Sequence, residues 1–294
     1  MITVTNLSYR YEDGCPEVIS DIDFQIKEGE VFGFLGPSGA GKSTTQKILT
    51  GQLRDYTGTV VVAGEEIKTA RRSIYNKLGV AFEFPNLYEK LTAIENLKLF
   101  GAFYNRNMQD PSELLKMVNL SDEKNTLVSS FSKGMKMRLN FVRSIMHNPE
   151  ILFLDEPTSG LDPVNARIIK DIIRKLKYQG TTIFLTTHNM TDAESLCDEL
   201  ALIDNGKFVL TGNPSDLKIK YGTKKLRLTY LDNNIHRNRD FSLNLLGSDT
   251  EFLEILKKYE IETIHSNEAT LEDIFIEVTG HALSGSETEM IDHA

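Results

Sequence analysis

The sequence predicts an α/β protein followed by a second, smaller α+β domain, and three observations carry that prediction. Short apolar runs at Val31 to Leu35, Leu78 to Phe84, Ile151 to Leu154, Thr182 to Thr186 and Leu200 to Ile203 alternate with stretches of helical period. Alternation of this kind builds sheets whose core strands are parallel. A glycine-rich loop follows the first run directly and leads into a helix. After Gly212-Asn213-Pro214 the pattern changes to a strand and two capped helices.

Taken in order, Thr3 to Tyr11 and Val18 to Ile26 show partial alternation with β-branched residues and read as strands. Glu28-Gly29 breaks the pattern before the buried strand Val31 to Leu35. Ser43 to Leu53 reads as a helix, and Thr57-Gly58 as a turn before the strand Thr59 to Ala63. Pro85 ends the apolar run from Leu78. From 91 to 148 the character is helical. Thr92 and Glu95 have capping-box spacing, and Leu97, Leu99, Phe100 and Phe103 follow at helical period. A helix at Asn165 to Lys177 separates two of the later strands. Residues 1–220 therefore form the main domain and 221–280 the small one. In the latter, Leu226 to Leu231 is a strand, Ser248 with Glu251 caps one helix and Thr270 with Asp273 another. Residues 281–294 read as a disordered tail.

Composition narrows the class. The 294 residues are 40% hydrophobic and 26% charged, enough for a sizeable core. No window approaches the roughly 18–20 apolar residues needed to span a bilayer, and the N-terminus has no secretory pattern. Cys15 and Cys197 make neither a disulfide framework nor a metal cluster, which suits a cytosolic setting. A net charge of −9 argues against nucleic acid as a partner.

The chemistry is concentrated in Gly36-Pro37-Ser38-Gly39-Ala40-Gly41-Lys42-Ser43-Thr44, which meets the pattern G-x-x-x-x-G-K-[ST] between a strand and a helix. Glycines let backbone N–H groups turn inward around phosphate oxygens, and the helix N-terminus adds its positive end. Lys42 would reach the β- and γ-phosphates and the Ser43 hydroxyl would bind Mg²⁺. A purely structural glycine turn is the competing reading. Ile151 to Glu156 is an apolar strand ending in two acids, at the end of a sheet where such folds bind ligands. Asp155 would hold Mg²⁺ and Glu156 would polarise the attacking water; alone, Glu156 would read equally well as a surface carboxylate.

Downstream residues carry a family resemblance over about 1–211. Phe131-Ser132-Lys133-Gly134-Met135 resembles the signature motif of ABC-type ATPases, usually Leu-Ser-Gly-Gly-Gln. A helix read as Lys136 to His147 separates it from the acid pair. Ser159-Gly160-Leu161-Asp162 resembles the D-loop, Thr187-His188 the switch histidine, and Tyr11 the aromatic that stacks on adenine, with Tyr9 as the competing candidate. The resemblance implies an ABC cassette, a P-loop NTPase with a mixed sheet and a helical subdomain at about 91–148. It implies an ATP-hydrolysing subunit of a transporter, peripheral at the inner face of the cell membrane. It also implies a second ATP-binding subunit, most simply a homodimer, and an integral membrane permease. Ser132, Lys133 and Gly134 would then serve the ATP held by the partner. Asp162 would line the dimer contact, and His188 would hold the γ-phosphate, the water and Glu156 in line.

Two positions depart from the family pattern. Glu83 stands where the Q-loop glutamine is expected, keeping an acceptor for Mg²⁺ but adding charge. Lys133 replaces the first signature glycine, and is read either as a cation for the partner's γ-phosphate or as a solvated lysine. The form Ser-Lys-Gly-Met and the stretch Leu271 to Phe275 resemble export-type subunits for drugs, peptide antibiotics or sodium. In the family, the region after the Q-loop receives a coupling helix of the membrane subunit. Phe84, Leu87, Tyr88, Phe100 and Phe103 would supply that groove, although a core role fits most of them better. The cluster Lys218, Lys220, Lys224, Lys225 and Arg227 reads as a solvated face. The runner-up function is a non-transport ABC ATPase acting on ribosomes or DNA. The chain carries one cassette and no coiled-coil or zinc insertion, which disfavours it. Kinase and GTPase readings fall away for want of their own motifs.

Overall fold

The apolar runs become five of the strands of a six-stranded sheet. β3 (Val31–Leu35), β6 (Leu78–Ala81), β7 (Ile151–Asp155), β8 (Thr182–Thr187), β9 (Glu199–Asp204) and β10 (Lys207–Gly212) lie in the order β10-β9-β3-β8-β7-β6. All neighbours are parallel except β10, which turns back antiparallel on β9. β3, β7 and β8 are buried at every position, which is why they read as continuous apolar runs and not as alternation. A second, antiparallel sheet comprises β1 (Ile2–Tyr9), β2 (Ile19–Ile26), β4 (Thr57–Val62) and the two-residue β5 (Glu65–Glu66), in the order β2-β1-β4-β5. The structure, a computed structural model, describes residues 1–12, 14–222, 224–266 and 269–281.

One core joins residues of both sheets. Ile2, Val4, Ile22, Val60 and Val62 pack in the same cluster as Phe32, Phe34, Phe153 and Phe184. Phe24 stacks on Phe32 with ring centroids 5.4 Å apart. Among the described residues six α-helices complete this unit: α1 (Lys42–Leu49), α2 (Ala93–Gly101), α3 (Pro111–Met117), α4 (Lys133–Ile145), α5 (Pro163–Tyr178) and α6 (Met190–Leu196). The capping box at Thr92 and Glu95 forms as the spacing required. Parallel pairing sets Leu35 opposite Thr187 and Asp155 opposite Thr186, so β3, β7 and β8 end at one level. That alignment places the loops after them together.

Several local expectations are corrected. Thr57-Gly58 is no turn but the start of β4. Gly58 has φ +87°, and an added Cβ would lie 2.3 Å from the Asn6 carbonyl, so glycine marks a close backbone approach inside the sheet. α1 begins at Lys42, α4 at Lys133 and α5 at Pro163, each earlier than expected, because the preceding loop residues cap the first turn. None of Phe84, Leu87, Tyr88, Phe100 and Phe103 is buried core, and Phe84 and Phe103 are strongly exposed.

The second compact unit spans Pro214–Ala282, whereas the sequence placed the boundary at 220. The helix α7 (Pro214–Tyr221) accounts for the difference. β11 (Lys225–Asp232), β12 (Ile235–Ser242) and β13 (Glu260–Ser266) form an antiparallel sheet in the order β12-β11-β13. α8 (Thr250–Lys258) packs Phe252 and Ile255 against Leu226, Leu228, Tyr230 and Phe241, and α9 (Leu271–Thr279) packs on α7. Asp249, not Ser248, caps α8, because a short 3₁₀ turn consumes Leu246–Ser248. Thr270 and Asp273 make their capping box. Within the basic cluster, Arg227 pairs with Asp240 at 2.7 Å. The expected tail falls outside the described residues beyond His281.

Candidate functional site

The glycine-rich loop is shaped by two close approaches. An added Cβ at Gly36 would sit 2.1 Å from the Ile203 carbonyl of β9. Gly39 (φ +83°) and Gly41 (φ +108°) occupy the left-handed region, and a Cβ at Gly41 would meet the Val18 carbonyl at 2.9 Å. Gly41 caps α1 without any side-chain acceptor, so the first amides of the helix face the loop unclaimed by a capping group. Ala40 is buried, its carbonyl accepting from the Gly206 amide at 3.2 Å. Lys42 Nζ donates to the Gly36 and Pro37 carbonyls at 2.7 and 2.9 Å, folding across the loop. Burial lowers the Lys42 pKa from its ordinary value, and Glu156, Asp155 and Glu83 oppose that shift.

The two acids end β7 in different conformations. Asp155 is extended and buried, accepting from the Thr186 hydroxyl and, at 3.5 Å, from the Ser43 hydroxyl. Glu156 has φ +48°, an arrangement that costs a non-glycine residue about 1–3 kcal/mol unless its surroundings hold it. They do. Its amide donates to the Thr186 carbonyl at 3.0 Å. Its carboxylate accepts from the Thr187 hydroxyl at 3.0 Å, the His188 amide at 2.8 Å and His188 Nδ1 at 2.7 Å. A buried carboxylate with three donors is a satisfied one, and its orientation is determined. His188 is mostly exposed.

Glu83 follows β6 on a loop pinned to α4. Asn140 Nδ2 donates to the Phe82 carbonyl at 2.8 Å, and Arg143 donates to the Asn86 carbonyl at 2.6 Å. Tyr11 is 52% exposed while Tyr9 is 7% exposed, so Tyr11 is the aromatic available to a ligand. The Tyr11 hydroxyl lies 3.0 Å from the Thr44 hydroxyl, and the two tyrosine rings meet edge to face. A cavity of about 480 Å³ is lined by Tyr11, Ser38, Gly39, Gly41, Lys42, Ser43, Thr44, Glu83, Asp155, Glu156 and His188, with Val18 as the one lining residue not anticipated. Gly36, Pro37 and Ala40 do not line it.

The signature and D-loop residues do not line this cavity. Ser132 caps α4 by accepting from the Met135 amide at 3.2 Å. Gly134 lies against Gly160 and Leu161, and the Lys133 side chain runs over Gly160. Asp162 caps α5, accepting from the Val164 and Asn165 amides, and the Asn165 side chain beside it holds its carboxyl below the usual range. Sequence reasoning does not single out the Thr186 and Thr187 hydroxyls, which bond Asp155 and Glu156, nor the contact between Thr158 and Asp192. The signal for the first two is faint: polar residues closing an otherwise apolar strand.

With that geometry in view, the likenesses to known proteins are specific. The family described as "ABC transporter" matches residues 19–159, and one described as "Fluoroquinolone efflux ABC transporter C-terminal domain" matches residues 224–268. The chain is 47% identical over 285 residues to the fluoroquinolones export ATP-binding protein of Mycobacterium tuberculosis, covering 97% of this chain and 95% of that one. It is 32% identical to the daunorubicin/doxorubicin resistance ATP-binding protein of Streptomyces peucetius, over 92% of this chain and 90% of that one. A solved ATP-binding subunit of an ABC transporter superposes with a TM-score of 0.68 at 28% identity, over 75% of this chain and 93% of the other. A dimeric bacterial ABC transporter cassette gives 0.67 at 27%, over 72% and 98%. None of these descriptions names a protein acting on ribosomes or DNA.

Proposed function

This chain belongs to the ATP-binding, ATP-hydrolysing subunits of ABC transporters, with export proteins among its relatives, and on that premise we propose that it drives export of a fluoroquinolone-like drug through a separate membrane subunit. The observation that carries the nucleotide part is the convergence of Lys42, Ser43, Asp155, Glu156 and His188 on one cavity. The substrate part rests on the 47% identity to a fluoroquinolone export protein, which extends through the second unit as well as the first.

In this reading the loop amides and Lys42 hold the phosphates, and Tyr11 stacks on the adenine. Lys42 exchanges its loop carbonyls for phosphate oxygens. The Ser43 hydroxyl, Asp155 and Glu83 are oxygen donors of the kind a hard cation takes. Among the described residues no group of three His, Cys, Asp or Glu would hold a metal by itself. Ser43, Asp155 and Glu83 would hold Mg²⁺ together with the nucleotide, and the ion would supply positive charge against the phosphates. Glu156 accepts a proton from the attacking water, and His188, released from Glu156, turns to the γ-phosphate.

Ser132, Lys133, Gly134 and Asp162 lie outside the chain's own cavity, which supports a head-to-tail homodimer in which they complete the partner's site. A groove of about 490 Å³, lined by Phe82, Asn86, Phe100, Phe103, Tyr104 and Arg143 among others, supports a membrane-subunit contact beside the Glu83 loop. Among the described residues no helix is long and apolar enough to cross a membrane, so the chain would act from the inner face on a permease that does. Inside-out vesicles from cells producing this chain with its membrane partner should take up a fluoroquinolone when ATP is added, and Lys42→Ala should abolish uptake. ATP turnover without any drug uptake would overturn the substrate assignment and leave the ATPase standing.

A further inference from the structure

Asp192 is 5% exposed, a carboxylate buried just past the switch histidine with no place in the chemistry described above. It accepts from the Thr158 hydroxyl, two residues beyond Glu156, and from Lys170 of α5 at 3.0 Å. Its own amide donates to Asn189 Oδ1 at 3.1 Å, which fixes it in the first turn of α6. Three elements therefore meet on one side chain: the loop that carries Glu156 toward Asp162, the helix that Asp162 caps, and the helix that follows His188.

Two ties close a ring. At the near end His188 is bonded to Glu156 through its amide and Nδ1. At the far end Thr158 is bonded to Asp192. Within the ring the loop is stiffened by the Ser159 amide on the Glu156 carbonyl at 3.1 Å and the Leu161 amide on the Thr158 carbonyl at 3.1 Å. When the near tie opens so that His188 can turn to the nucleotide, the far tie remains as the pivot. A buried carboxylate demands such partners, and each partner in turn is located by it.

We propose that Asp192 is a positioning residue for hydrolysis, the pivot that couples the loop from Glu156 to Asp162 to the swing of His188, with Thr158 as its contact and Lys170 as its counter-ion. The proposal rests on the reading that Glu156 and His188 act on the attacking water. Phosphoryl transfer depends mainly on placement, and an error of about 1 Å costs up to ~10²-fold.

The test is steady-state ATP turnover by the full chain, with ADP affinity and melting temperature measured on the same preparations. Thr158→Val removes only the hydroxyl and keeps the shape. It should lower kcat about tenfold or more while KM and ADP affinity stay within about twofold and the melting temperature holds. Thr158→Ser should keep wild-type turnover. Asp192→Ala, which removes the acceptor that asparagine would keep, should lower kcat similarly, and the double variant with Thr158→Val should be no slower than the slower single, because both changes break the same contact. Full turnover by Thr158→Val, or a loss that follows weakened ADP binding and a lowered melting temperature, overturns the proposal. Glu156→Gln run alongside separates the two readings: if it is inactive while Thr158→Val is fully active, only the pivot fails, and if it turns over normally, the role of Glu156 itself is wrong.

Discussion

The two units bury different things. Every polar or charged residue buried among the described residues lies in the first unit, including Gln46, Asp155, Glu156, Thr186, Thr187 and Asp192. The second unit buries Leu226, Leu228, Tyr230, Phe241, Phe252 and Ile255 around its sheet and keeps its charges outside. Two of its ion pairs, Arg227 with Asp240 and Arg239 with Glu251, are exposed on both sides. Exposed pairs contribute little to stability. A buried carboxylate is expensive unless several donors meet it, and the first unit supplies those donors at the ends of β7 and β8. The contrast teaches where chemistry resides: a chain that retains buried charge keeps it for a task, and a unit built from apolar packing alone presents surface, not reactivity.

The contrast can be broken in three ways, the largest first. Glu156→Gln keeps the size of the side chain and removes the proposed base. Hydrolysis should fall by roughly 10²–10⁴-fold with ATP still bound, measured as single-turnover phosphate release beside equilibrium binding. Wild-type turnover would mean that the buried acid is structural after all. Leu228→Ala empties the centre of the second unit and should destabilise it by about 2–5 kcal/mol. Amide exchange should accelerate in β11 to β13 while ATP turnover by the isolated chain is unchanged. A parallel loss of turnover would show that the second unit is no bystander in the chemistry.

The third concerns His147, buried at the end of α4. Its ring stacks on Tyr104 with centroids 3.8 Å apart, Nε2 donates to the Leu78 carbonyl at 2.9 Å, and Nδ1 has no partner. Burial pushes its pKa down to about 4 from the ordinary 6.5. Between those values the unfolded chain binds the proton and the folded one does not, so stability falls as pH drops from about 6.5 to about 4 and changes no further below. The full span corresponds to roughly 3 kcal/mol. Amide exchange in the first unit should report this loss, and His147→Gln, which keeps a donor and cannot titrate, should flatten it. An unchanged pH profile in that variant would assign the acid sensitivity elsewhere.

Much of the cassette was legible because its signals are local. A strand buried on both faces is a run of apolar residues, and the phosphate loop needs glycine at fixed offsets, so Val31 to Thr44 and Ile151 to Glu156 stand out unaided. β12 did not, since seven of its eight positions are exposed and no alternation survives. Gly58 reads as a turn in the sequence because a glycine at a turn and a glycine at a close strand crossing look alike in one dimension. Ser248 lost the cap of α8 to Asp249 for a similar reason, with both residue types suited to the position.

The sequence by itself determined all but one of the side chains that line the candidate site, since phosphate, cation and water each demand particular residue types in a particular order along the chain. Tertiary structure alone decided how they are held. The φ of Glu156, the tie from His188 to its carboxylate, the choice of Tyr11 over Tyr9, and the bond from Thr158 to Asp192 join residues up to 32 or 34 positions apart. Those relations exist only once β7 and β8 pair in register and bring their ends to one level. They depend on burial and direction, quantities that a linear pattern does not contain.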